Sequence, residues 1–228
     1  MEFHRATLQD CDQATGAVVV IDVLRAFTTA AHAFAAGVRE IRLVSMVEEA
    51  LALRRILPGA LVMGEVGGLP VPGFDFGNSP PQFDHSTLTG RLLIQRTSSG
   101  TQGAVRSRRA EHLLAASFVN ASATARALQR LDPQVVTFVI TGLRPGGWGD
   151  EDAACADYLE SLLRGRPASL APLLERVRNS PPGRQFSDPA MPDFPPEDLE
   201  YCLAVDCFAF AMPIERNGDT LVMRFKKA

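Results

Sequence analysis

The run Ala17-Val18-Val19-Val20-Ile21 constrains this chain more than any other stretch. Five consecutive apolar residues are too few to span a membrane and suit a strand buried on both faces. The run ends on Asp22 and, three residues later, Arg25; an alanine-rich, helix-permissive segment follows over residues 26–36. A strand, a charged tip and then a helix is how open α/β sheets present ligand-binding groups, because their sites form outside the carboxyl ends of the strands. The plainer alternative makes Asp22 a cap for the next helix and Arg25 its surface partner, since structural ion pairs mimic sites.

The same alternation continues. Gly37 suits the end of the first helix, residues 38–44 read as a strand, and Ser45-Met46-Val47-Glu48 reads as a capping box opening a helix over residues 46–57. Pro58-Gly59 closes that helix before a short strand at 60–63. Further strands are expected at 91–95, 113–118 and 134–141, and helices at 103–109, 121–131 (capped by Asn120), 153–163, 170–177 and 196–205. Asn217-Gly218 between residues 208–214 and 220–225 signals a hairpin. The expected fold is α/β: a three-layer α/β/α domain covering residues 1–228, with a mainly parallel, mixed central sheet and a C-terminal β-hairpin.

Four stretches break the grammar. Residues 64–81 are rich in Gly and Pro and have no period, yet carry Glu65, Phe74, Asp75 and Phe76, which suits an ordered loop laid over the strand ends. Thr97-Ser98-Ser99-Gly100-Thr101-Gln102-Gly103 lies between a strand and a helix, where free N–H groups suit an anion; it lacks the lysine of a Walker motif and also reads as an N-cap cluster. A second glycine loop, 142–149, leads into Asp150-Glu151-Asp152. Acidic residues in a first helical turn complement the dipole, and beside a glycine loop they can also hold a hard cation. Residues 180–196 are proline-rich and read as an irregular surface excursion.

Composition excludes some classes. A net charge of −3 and a pI near 5.8 speak against a nucleic-acid or membrane-surface partner, which needs a basic patch. No stretch has the length of a membrane span, the N-terminus lacks a signal-peptide core, and the four cysteines form no CxxC pair, so a cytoplasmic protein with reduced thiols is expected. A homodimer is compatible with the sequence.

Five segments together resemble a known family. They are Val19-Val20-Ile21-Asp22-Val23-Leu24-Arg25-Ala26 with Thr28-Thr29, Gly64-Glu65-Val66-Gly67-Gly68, Gly73-Phe74-Asp75-Phe76-Gly77-Asn78-Ser79-Pro80, Thr97-Ser98-Ser99-Gly100-Thr101, and Glu151-Asp152-Ala153-Ala154-Cys155-Ala156. In this order they resemble the motifs of the 2-phosphosulfolactate phosphatase family (ComB-like proteins), Mg²⁺-dependent phosphatases of coenzyme M biosynthesis. The resemblance implies a single α/β unit, bound Mg²⁺, and hydrolysis of a phosphate ester on a small acidic molecule. It implies Asp22, Glu65 and Asp75 as catalytic carboxylates, and Asp22, Glu151 and Asp152 as metal ligands. Arg25, Thr28, Asn78, Ser98, Ser99, Gly100 and Thr101 would hold the phosphate. Four positions depart from the family pattern: Val66 stands for an arginine, Ser99 for asparagine, Phe27 for threonine and Arg96 for a small hydroxyl residue. Arg96 is a candidate to restore the charge missing at position 66.

Two further readings belong beside the phosphatase. One is a catalytically weak paralogue that binds an anionic metabolite or serves an interaction role, which Val66 and Ser99 favour. The other makes Asp22 the nucleophile of a haloacid-dehalogenase-like enzyme, but the second acid of that motif falls on Leu24.

Overall fold

The computed structural model describes residues 1–84, 87–144, 148–166 and 169–227. A strand that the sequence pattern does not announce, β1 (Glu2–Thr7), precedes the apolar run, which forms β2 (Ala17–Ile21). Then come α1 (Ala26–Ala35), β3 (Glu40–Val44), α2 (Val47–Ile56), β4 (Leu61–Val66), β5 (Leu69–Pro70), β6 (Leu92–Arg96), α3 (Gly100–Arg106) and β7 (His112–Ala116). The chain continues through α4 (Ala121–Leu131), β8 (Val135–Ile140), α5 (Asp150–Leu163), α6 (Leu170–Asn179), α7 (Pro181–Gln185) and α8 (Pro196–Cys202). It ends with β9 (Phe210–Asn217), β10 (Thr220–Met223) and β11 (Lys226–Lys227).

Every residue of β2 is buried, and alternate side chains enter different cores. Val18 and Val20 pack with Phe27, Ala30 and Phe34 of α1 and Ala104 of α3. Ala17, Val19 and Ile21 pack on the opposite side with Ala125 and Leu128 of α4 and Ala156 and Leu159 of α5. A third core sets Ala50 of α2 against Val44, Val62 and Ile94. The layers are therefore α1 and α3, then the sheet, then α2, α4 and α5. Burial on both faces is why the run is continuously apolar.

The strand order is β1-β8-β2-β7-β9-β10-β3-β6-β4-β5, with β11 beside β9. β1, β8, β2 and β7 form one parallel block, and β3, β6 and β4 another. The hairpin β9–β10 does not trail off the edge, as a C-terminal hairpin would by default; it joins the blocks, antiparallel to β7 on one side and to β3 on the other. Successive antiparallel steps reverse the ladder direction between the blocks. Strand twist of about 20–25° per step turns them back toward each other, so that their carboxyl ends meet around α1 and α3. Gln95 of β6 donates Nε2 to the Ala26 carbonyl at the start of α1, at 2.9 Å. A Cβ on Gly103 of α3 would stand only 2.7 Å from Val20 Cγ1 of β2.

Several local expectations shift. Residues 64–66 continue β4, which turns through Gly67 and Gly68 into β5, so the turn is a hairpin rather than the start of a free loop. The α2 box is displaced: Glu49, not Glu48, accepts from the Ser45 N–H at 3.1 Å. Asn120 stands at the N-cap of α4 as expected, but its side chain makes no capping bond there and accepts instead from the Ser117 N–H. Only part of residues 180–196 is a surface excursion: residues 187–193 are irregular and mostly exposed, but the segment starts with α7, where Ser180, Pro182, Gly183 and Phe186 are buried. Part of the glycine loop at 142–149 lies outside the described residues. All four cysteines are free, and no helix of the described residues is long and apolar enough to cross a membrane.

Candidate active site

The carboxyl ends of β2, β4, β6 and β8 converge, and polar side chains are buried where they meet. Asp22 follows β2 directly. Its Oδ1 accepts from the Ala26 N–H at 3.0 Å, so it does cap α1. The start of α3 closes on the same carboxylate: a Cβ on Gly100 would stand 2.8 Å from Asp22 Oδ2 and 3.1 Å from Ala26 Cβ. Burial pushes Asp22 up to about 6, with the Glu65 charge adding to the rise and the backbone N–H groups of Ala26 and Gly100 opposing it. The cap and the candidate site residue are one side chain.

Glu65 is the last residue but one of β4 and is buried. Its carboxylate accepts from the Ser98 N–H at 2.5 Å, the Gly68 N–H at 2.6 Å and the Ser98 hydroxyl at 3.1 Å. It thereby fastens the β4–β5 turn to the loop after β6, with both oxygens occupied. Gly64 is required for this approach, since its φ is +136° and a Cβ there would lie 1.8 Å from the Arg96 carbonyl oxygen. Arg96 lies in the same junction, donating Nη1 to the Glu65 carbonyl at 2.7 Å and Nε to the Ser45 carbonyl at 3.1 Å. Val66, by contrast, is an exposed apolar residue at the rim.

The loop after β6 closes on itself through Thr101. Its Oγ1 accepts from the Thr97 N–H at 2.9 Å and donates to the Thr97 carbonyl at 2.9 Å. Thr101 is fully buried and so supports the loop from within, whereas Ser98 and Ser99 are half-buried at the open side. Thr28 is also fully buried and donates to the Val23 carbonyl at 2.9 Å, which places it beneath the site rather than in it.

The fourth strand end brings two more carboxylates. Asp152 accepts from the N–H groups of Val23 and Gly142, both at 2.9 Å, and from the Thr141 hydroxyl at 3.2 Å, tying β2 to β8. Glu151 Oε2 is buried without a partner. Burial raises Glu151 to about 7, with the Asp22 charge adding to it. Burial first, and then Glu151 and Asp22, hold Asp152 well above the ordinary range. Mutual repulsion at a buried site with an orphaned oxygen is what a cation relieves, so the donor set fits a hard divalent ion. The expected ligand trio is not a ready-made cage, however. Among the described residues no three His, Cys, Asp or Glu side chains converge to hold a metal ion. Asp152 is already engaged by three donors. An ion here would take one or two carboxylates and keep water in its remaining positions, as Mg²⁺ commonly does.

Two expected residues are placed elsewhere. Asp75 accepts from the Val62 N–H at 2.8 Å and from Arg54 at 3.2 Å, so it pins the loop alongside the start of β4, apart from the carboxylates at the strand ends. Its sequence neighbourhood suggests catalysis; its hydrogen bonds are structural. Arg25 is not an open phosphate clamp. Its Nη1 donates to Asp198 at 2.6 Å and to the Asp193 carbonyl at 3.0 Å, and its Nη2 to the Gly68 carbonyl at 3.0 Å. The guanidinium lies against the T-shaped pair formed by the rings of Phe194 (4.9 Å) and Phe186 (5.5 Å). A cleft of about 190 Å³ remains beside it, bounded by Gly68, Asn78, Ser79, Pro192, Asp193 and Pro195. Asn78 is buried there with Oδ1 unpartnered, the one expected phosphate-binding side chain on this side with a free polar atom. Sequence reading missed Asp198, fully buried and also accepting from the Ser79 hydroxyl at 2.7 Å. Asp198 shares the first turn of a short helix with Glu197, and acids there are ordinarily dipole partners, so sequence carries no signal for it.

A model of the 2-phosphosulpholactate phosphatase family matches residues 3–217. A Bacillus subtilis (strain 168) protein named probable 2-phosphosulfolactate phosphatase is 35% identical over 202 residues, covering 88% of each chain. One of the same name from Thermosynechococcus vestitus is 30% identical over 226 residues, covering 91% of this chain and 92% of its own. Another, from Carboxydothermus hydrogenoformans, reaches 44% identity over 151 residues, or 64% and 60% of the two chains.

Proposed function

Since the chain belongs to the 2-phosphosulpholactate phosphatase family, we propose that it hydrolyses the phosphate monoester of a small acidic metabolite, 2-phosphosulfolactate or a close relative, with Mg²⁺ as cofactor. The observation that carries this reading is the meeting of Asp22 with Glu151, Asp152 and the start of α3 where the two parallel blocks come together. Asp22 and Glu151 are the residues that would hold the ion, with Asp152 fixing their loops. When bound, Mg²⁺ neutralises phosphoryl oxygens and orients them.

The protein's own groups do the rest. The hydroxyl and N–H of Ser99 bind the phosphoryl oxygens, and the half-buried loop presents them in an orientation set by Glu65, which takes both donors of Ser98, and by Thr101. Arg96 supplies the fixed positive charge at that junction, in place of an arginine at position 66. Asp22 is the reacting carboxylate, either attacking phosphorus or removing a proton from the attacking water. Arg25, Asp198 and Asn78 shape the adjoining cleft for the acidic remainder of the substrate.

The test is phosphate release from phosphosulfolactate and a panel of phosphate esters, with Mg²⁺ or with EDTA. The expected result is Mg²⁺-dependent turnover, lost by a factor of at least 10³ in Asp22→Asn. The stereochemical course with an ester chiral at phosphorus separates the two roles, since attack by Asp22 followed by hydrolysis retains the configuration and direct attack by water inverts it. The engagement of Arg25 by Asp198 favours a second reading, a weakly catalytic anion-binding paralogue. Absence of turnover on every ester, together with retained ligand binding in Asp22→Ala, would decide for it.

A further inference from the structure

A second concave site lies in the middle of the sheet, where β7 meets β9. β7 runs beside β2 with His112 level with Ala17, and β9 lies on its far side, with Ile214 level with Leu113 and Met212 level with Ala115. There a cleft of about 590 Å³ opens between β7, the end of α4, β9 and β11. Its floor is apolar: Leu114 and Ala211 are buried, Pro213 and Ala127 are half-buried, and Leu113 and Ile214 turn from it into the core on the α1 and α3 side. Its rim is cationic, formed by Arg130, Arg216, Lys226 and Lys227.

These cations have no ion-pair partner among the described residues. Of the two acids on the rim, Glu215 is taken by Arg224 at 2.9 Å, which leaves Glu111. Burial, reinforced by the nearby Arg108 charge, presses the Arg216 guanidinium below its ordinary range, and Asp219 offsets this only in part. In a chain of net charge −3, four unpaired cations around an apolar floor are a local reversal of sign. An apolar floor rewards a hydrophobic body, and the rim rewards a negative head held at the mouth.

We infer that this cleft binds a small organic anion with an apolar body, independently of the site at Asp22. An inorganic anion would gain nothing from the floor, and a neutral hydrophobe nothing from the rim.

Fluorescence titration at low ionic strength tests this with 8-anilinonaphthalene-1-sulfonate as the probe and its neutral counterpart N-phenyl-1-naphthylamine as the control. The expected result is one saturable, blue-shifted site per chain, with the neutral probe at least tenfold weaker. Arg130→Ala with Arg216→Ala weakens the sulfonate at least tenfold and leaves the neutral probe unchanged. Ala127→Phe, which projects from half-buried α4 into the cleft, weakens both while near-ultraviolet circular dichroism stays native. Equal affinity for the two probes, indifference to either variant, or a site count that falls as protein concentration rises because a second copy covers the cleft would each overturn the inference.

Discussion

Asp22, Glu151 and Asp152 are carboxylates whose ionised forms the fold disfavours, and the sign of that effect fixes a pH dependence. Their protonated forms are favoured in the folded state relative to the unfolded one. The stability they contribute is complete below the unfolded carboxylate range near pH 4 and is lost as pH rises through about 6 for Asp22 and about 7 for Glu151. A shift of this size corresponds to about 3 kcal/mol for one group, shared rather than summed across interacting groups. In EDTA, Asp22→Asn is therefore expected to be more stable than the wild type at pH 8 by up to about 3 kcal/mol, with the difference vanishing near pH 4. The asparagine retains an oxygen for the Ala26 N–H. Urea titrations at the two pH values measure this, and a pH-independent difference contradicts it. Gly100 makes a complementary case, because a methyl there meets Asp22 Oδ2 at 2.8 Å. Gly100→Ala should lower kcat at least tenfold at a stability cost of about 1–3 kcal/mol, measured by phosphate release and denaturant unfolding.

At the scale of elements, what was legible in the sequence was local. Apolar runs, glycine stops and the hairpin signal at Asn217-Gly218, whose turn residues are Gly218 and Asp219, placed most helices and strands, because those signals are set by neighbours in the chain. β1 escaped because Glu2, His4 and Arg5 are exposed on an edge strand with little apolar alternation. The candidate residues at the ends of β2, β4, β6 and β8 were legible for the same reason, as charged or hydroxyl residues where regular structure stops. Which way they point was not. Arg25 reads as a free cation, and only the packing of residues 180–202 reveals that Phe186, Phe194 and Asp198 enclose it. That enclosure predicts a stability pattern. Asp198→Ala leaves a buried guanidinium unpaired and should cost about 3–5 kcal/mol. Arg25→Met combined with Asp198→Leu removes both charges and should cost clearly less than the single change. Urea midpoints of the two variants decide it; a double variant no better than Asp198→Ala would mean that Arg25 is held by its carbonyl contacts instead.

At the scale of the whole molecule, the placement of β9–β10 is the decisive feature. Inserted between the two parallel blocks, the hairpin reverses one block and lets twist bring the carboxyl ends of both to a common mouth. Asp22 belongs to one block and Glu65 to the other, so the mouth holds like charges drawn from both halves of the sheet. A divalent cation there would offset repulsion across the junction as well as serve the reaction, and the two effects have different readouts. Stabilisation by a ligand that binds only the folded state follows RT ln(1 + [L]/Kd), about 2.7 kcal/mol at a hundredfold excess over Kd. Protons compete for the same oxygens below about pH 6 to 7. Mg²⁺ is accordingly expected to raise the Tm substantially at pH 8 and little at pH 5, and Glu151→Gln should abolish the pH 8 increment while leaving the metal-free protein folded. Thermal unfolding with and without Mg²⁺ at the two pH values measures this without any substrate. An increment equal at both pH values, or one retained in Glu151→Gln, would place the ion away from this mouth and detach the metal from the carboxylates of β2 and α5.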